Sequence, residues 1–135
     1  MYGPRMIRLA MVAVVLAACG GSDNKSVDAT PVMIDSPAAQ TVQTVTCPAT
    51  PAATVTTSGF MFAPMTTTVS QGQVVQFTMP SSHNVVAGHV PSDSTIADPG
   101  LAVNFSETKC LMFTQAGMYG FHCGPHSFNG TIVVQ

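Results

Sequence analysis

Apolar and polar positions fall into short runs over the second half of the chain. Thr54–Ser58 and Thr66–Ser70 are rich in β-branched residues, and Gln71-Gly72 marks a turn. Val74, Val75, Phe77 and Met79 then form a strand pattern that Pro80 stops. Further short runs follow at His83–Ala87, Leu101–Phe105, Cys110–Thr114, Met118–Cys123 and Thr131–Gln135, with Ala116-Gly117 as a turn. Residues 88–100 carry Gly, Pro, Ser and Asp and read as a long loop. Beyond the N-terminal segment, no window of ten or more residues repeats apolar positions at helical spacing. The pattern predicts an all-β domain over residues 46–135, an antiparallel sandwich or barrel of about seven or eight strands.

The first half differs. Leu9–Ala18 is one unbroken apolar run preceded by Arg5 and Arg8. It is too short to span a bilayer and has the build of a secretory signal. Leu16-Ala17-Ala18-Cys19 resembles the bacterial lipoprotein box, which implies a signal peptide at residues 1–18 and lipidation at Cys19; the alternative is an ordinary signal with an incidental cysteine. Gly20 follows where an aspartate would signal retention in the inner membrane. The expectation is an extracytoplasmic protein, lipid-anchored at the outer membrane and facing the periplasm or cell surface, that does not span the bilayer. Residues 19–45 mix small and polar residues without a period and read as a flexible linker.

Without residues 1–18 the cations are Lys25 and Lys109, against six acids, which leaves a net charge of −4. Such a chain is a poor match for nucleic acid, whose phosphates call for clustered Lys and Arg.

The chemistry concentrates near the C-terminus, in Tyr119-Gly-Phe-His-Cys-Gly-Pro-His126. Strand alternation puts Tyr119, Phe121 and Cys123 on one face and turns His122 away. Cys123 and His126 flank a Gly-Pro turn and can reach one ion, and His83 would join them from another strand. Two imidazoles and a thiolate form the trigonal set of a mononuclear copper site. Zinc also accepts these donors. If Cys19 takes lipid and Cys123 metal, Cys47 and Cys110 remain. An oxidising compartment favours a disulfide between them over two buried thiols.

The stretch from Phe60 to Gln135 resembles the small cupredoxins of the plastocyanin, pseudoazurin and amicyanin group. The resemblance rests on Phe60-Met-Phe-Ala-Pro64, Val69–Phe77, His83-Asn84-Val85 and Tyr119–His126. It implies a Greek-key β-sandwich with one copper ion near one end and single-electron transfer between protein partners. It implies His83, Cys123 and His126 as equatorial ligands and Asn84 as a brace on the ligand loop. The chain departs from the group at the axial position. Where a methionine would stand three residues after His126, it has Asn129; the longer-loop register offers Thr131. The Asn129 amide oxygen, a backbone carbonyl or no axial donor at all is then expected; if Asn129 serves, its replacement by Met is expected to raise the potential.

The leading expectation is therefore an electron carrier with transient protein redox partners and no small-molecule substrate. The alternative is a module that stores, senses or delivers copper. Catalysis is not expected, because no carboxylate or serine constellation offers acid–base or nucleophilic chemistry. His89 reads as a solvated loop residue or an edge near the metal, and His122 as a polar strand position.

Overall fold

The computed structural model describes residues 40–135. The expected signal segment, Cys19 and most of the linker lie outside them. Among these described residues nine strands run in chain order: β1 (Val42–Val45), β2 (Ala53–Ser58), β3 (Met61–Ala63), β4 (Thr66–Val69), β5 (Val74–Thr78), β6 (Val86–Ala87), β7 (Thr108–Phe113), β8 (Gly117–His122) and β9 (Asn129–Val134). They form two sheets, one in the order β1-β7-β5-β2-β3 and the other β4-β9-β8-β6. Most pairs are antiparallel, but β2 runs parallel to β5 and β4 parallel to β9. The fold is an all-β, cupredoxin-like sandwich.

The core lies between the sheets. Val55, Phe77, Leu111, Phe113, Tyr119 and Phe121 are fully buried there. Each large side chain withdrawn from water contributes about 1.5–3 kcal/mol. Phe121 packs edge-on against Phe62 at 4.6 Å and against Phe77 at 5.6 Å. That stack leads along β8 towards Cys123. Gly130 makes room for it: a Cβ there would stand 2.4 Å from the Phe121 ring and 2.9 Å from that of Phe62.

Three elements differ from the sequence pattern. β1 lies inside the segment expected as linker, pairing with β7 through Val42↔Phe113 and Val45↔Cys110. β3 forms from a stretch with no strand pattern. Gly59, at φ +59°, closes the tight turn between β2 and β3. The Leu101–Phe105 run contributes only an isolated bridge, Val103↔Val85. Its Leu101 and Val103 are buried, so the alternation reflects packing rather than a ladder.

β1 is held at both ends. Cys47 and Cys110 form the expected disulfide, 63 positions apart. Closing so long a loop in the unfolded chain corresponds to about 4 kcal/mol in the chain-entropy model. At the other end the buried Asp98 accepts from Thr41 N at 2.7 Å, Thr41 Oγ1 at 2.7 Å, Val42 N at 3.2 Å and Gly100 N at 2.8 Å. Burial pushes its carboxyl pKa up, but these bonds, led by the Thr41 hydroxyl, outweigh it and hold the pKa below the ordinary value. Tyr119 Oη stands 3.0 Å from Thr41 Oγ1 and donates to Gln115 O at 2.9 Å.

Candidate metal centre

Cys123 follows directly on β8 and is buried, as its parity with Phe121 requires. The β8–β9 ladder pairs Phe121 with Gly130 and His122 with Asn129. Just past the ladder, Cys123 N donates to Phe128 O at 3.0 Å. Ser127 N donates back to Cys123 O at 2.8 Å. The loop that carries His126 is thus closed at its base.

His83 arrives from the segment after β5 and is buried, while His126 is exposed. Cys123 Sγ lies 3.5 Å from His83 Nδ1 and 3.6 Å from His126 Nδ1. One ligand atom from each residue falls within 4.8 Å of the others. A first-row ion about 2.3 Å from sulfur and about 2.0–2.1 Å from nitrogen, in a trigonal arrangement, needs an S···N spacing of roughly 3.8 Å. The donors stand within a few tenths of an ångström of that. Thiolate plus two imidazoles is a soft, nitrogen-rich set suited to copper.

Asn84 sits beside the loop. Its Oδ1 accepts from Gly124 N at 2.8 Å, tying the ligand loop to the segment that carries His83. A Cβ on Gly124 would come within 3.3 Å of the same oxygen.

Aromatic rings surround the imidazoles. Phe60, two-thirds exposed, lies edge-on to His126 at 5.0 Å and to His83 at 6.1 Å. Phe128 lies edge-on to His83 at 5.1 Å, stacks near-parallel with His126 at 6.3 Å and touches Phe62 at 4.8 Å. Neither ring was singled out from sequence as part of the site. For Phe128 the signal was available, since the ladder register carried past His122 puts it opposite Cys123.

Asn129 does not face the pocket. It pairs with the outward His122, and its amide makes two bonds to one residue: Val90 N donates to Oδ1 at 2.9 Å, and Nδ2 donates to Val90 O at 3.0 Å. Thr131 shares that outward face, with its Oγ1 3.1 Å from His89 Nε2. The Asn129 amide is therefore engaged elsewhere, and so is the Thr131 hydroxyl.

The remaining histidines also leave the pocket. His122 Nδ1 donates to Gly88 O at 2.6 Å. His89 is clamped rather than solvated, with Nδ1 2.6 Å from Asp93 Oδ2 and Nε2 2.9 Å from Gly130 O. Hydrogen bonds from Thr95, and then from His89, pull the Asp93 carboxyl down to about 2.

Comparison with known proteins agrees with this geometry. Residues 49–135 match the family model for copper binding proteins of the plastocyanin/azurin family. The chain belongs to that family, and its site is that of one mononuclear copper ion. Among solved structures, it is similar to amicyanin from Paracoccus versutus (Thiobacillus versutus), with 19% identity and a TM-score of 0.54 over 71% of this chain and 99% of that one. It is also similar to a reduced single-substitution variant of amicyanin, with 23% identity and a TM-score of 0.53 over 70% and 99%. These likenesses carry the fold. A comparison with curated proteins gives no match.

Proposed function

We propose that the protein carries single electrons between protein partners outside the cytoplasm, with copper held by His83, Cys123 and His126. The observation that carries this reading is the three-donor cluster itself, two members buried and one exposed. Bound copper supplies a one-electron Cu(I)/Cu(II) couple.

The chain's own residues do the rest. His83 and Cys123, both buried, anchor the site on its inner side. Asn84 and the Cys123–Phe128 pair fix the ligand loop, so the donors keep their spacing in both redox states. Small rearrangement is what makes electron exchange fast. The exposed His126, with Phe60 beside it, gives a short path from the site to a partner. The Cys47–Cys110 disulfide supports an oxidising compartment. Lipidation at Cys19 belongs to the same proposal, as an anchor to the membrane.

The test is the absorption and EPR spectrum of the protein after addition of Cu(II), followed by a redox titration. An intense thiolate-to-copper band with reversible reduction supports the carrier. Colourless Cu(I) binding with ready release to a chelator would instead make the protein a copper store or delivery module.

A further inference from the structure

We propose that the ring of Phe128, not a donor side chain, fills the fourth position beside the His83–Cys123–His126 set. Copper is then held by three side-chain donors against an apolar wall. This rests on the copper reading above and adds what stands where that set ends.

Three observations carry it. The first is parity. Successive residues on a strand point to opposite faces, and residues directly paired across a ladder point to the same one. Phe121 and Gly130 face the core, and His122 and Asn129 face out. Just past that ladder Cys123 N donates to Phe128 O and Ser127 N to Cys123 O, so Cys123 stands across from Ser127 and Phe128. Cys123 is buried and Phe128 packs against the core, so the two face inward as neighbours.

The second is packing. The Phe128 ring reaches His83 at 5.1 Å and His126 at 6.3 Å, with Phe62 behind it at 4.8 Å. Phe62 in turn rests on Phe121, so the ring is backed by the core. The third is the engagement of the alternatives: Asn129 is tied to Val90, and Thr131 lies against His89.

An axial donor adds electron density that favours the oxidised ion, and an apolar wall does the reverse by excluding water and lowering the local dielectric. Phe128 thus sets the site towards the reduced state. It acts as a positioning and tuning residue, not a ligand.

The test compares Phe128→Met, Phe128→Leu and Asn129→Met in the full chain loaded with Cu(II), read by EPR, absorption and midpoint potential. Phe128→Met is expected to bring a thioether to the ion, lower the potential and raise the rhombicity of the EPR signal. Phe128→Leu, apolar and without a donor, is expected to keep the wild-type class of spectrum. Asn129→Met is expected to leave spectrum and potential unchanged, because its side chain points out. A shift in Asn129→Met, or none in Phe128→Met, overturns the proposal. So does a Phe128→Leu spectrum that follows Phe128→Met. NMR of the metal-free protein gives an independent reading: contacts from the Phe128 ring to the Cys123 β-protons are expected, and their absence also overturns it. Loss of the thiolate band in the wild-type protein would mark failure of the copper reading itself, and the wall falls with it; the variant comparisons and the NMR contacts mark failure of the wall alone.

Discussion

Asp98→Asn should destabilise the domain strongly near neutral pH and much less in acid. The side chain keeps its shape, so the change isolates charge and hydrogen-bond polarity. In the native protein one carboxylate oxygen accepts from Thr41 N, Thr41 Oγ1 and Val42 N, and the other from Gly100 N. An asparagine can place its oxygen towards Thr41 and Val42, but its NH2 then meets the Gly100 N–H, donor against donor. Bonds to a charged acceptor contribute about 1.5–3 kcal/mol each and neutral ones about 0.5–1.5, while an unmatched buried donor costs about 1–3. The combined loss is about 2–4 kcal/mol, since such terms do not simply add. In a domain of this size that lowers Tm by about 10–30 °C.

The pH dependence follows from the direction of the shift. The native Asp98 pKa lies below the ordinary value of 3.8. A depressed carboxylate contributes its full stabilisation above the unfolded-state value and loses it as pH falls through the folded-state value. Asparagine does not titrate. The gap between wild type and variant should therefore be widest near neutrality and narrow below about pH 4. Urea melts of the metal-free full chain at several pH values measure it. A loss under about 1 kcal/mol near neutrality, or a gap that stays constant into acid, would refute the reasoning. β8 starts near this network and delivers Cys123 at its other end, so the copper spectrum of the folded variant should match wild type.

Gly130→Ala should cost about 1–3 kcal/mol or more in urea melts, because the new methyl meets the Phe121 and Phe62 rings and a packed core relieves such contacts only by strain. Asn84→Ala removes the acceptor for Gly124 N and should weaken copper binding by about 10–100-fold in competition titrations, with fold stability changing far less. Thr67→Val should raise stability by about 1 kcal/mol, since the buried Thr67 hydroxyl has no hydrogen-bond partner among the described residues and valine matches its shape.

Much of this was legible because strand parity is a strict rule. Phe121, His122 and Cys123 face where alternation puts them, and the Cys123-Gly-Pro-His126 spacing brings two donors together. The partnership with His83 is non-local and came from donor chemistry and resemblance. β1 was missed because Val42 and Val45 are its only apolar residues, and what holds it, Asp98 and Cys110, lies far along the chain. Leu101–Phe105 misled in the opposite sense. Its alternation is real, but the turn at Asp98–Gly100 and the bridge to Val85 leave it as packed loop.

Asn129 turns away from the pocket for a reason that the ladder makes plain. Counting three residues on from His126 reaches Asn129, but distance along a loop does not decide which way a side chain points once the chain has re-entered a strand. The β8–β9 register decides it, and that register is tied to Phe121 opposite Gly130, where the Phe121 and Phe62 rings leave no room for a second side chain. A slip of one residue would exchange every inward and outward position on β9, burying Asn129 and Thr131 and exposing Ile132. The core therefore forbids the slip. With the register fixed, the number of residues between Cys123 and Gly130 alone determines which side chain stands beside the thiolate. In this chain that count brings Phe128 to the position across from Cys123 and turns the Asn129 amide away to Val90.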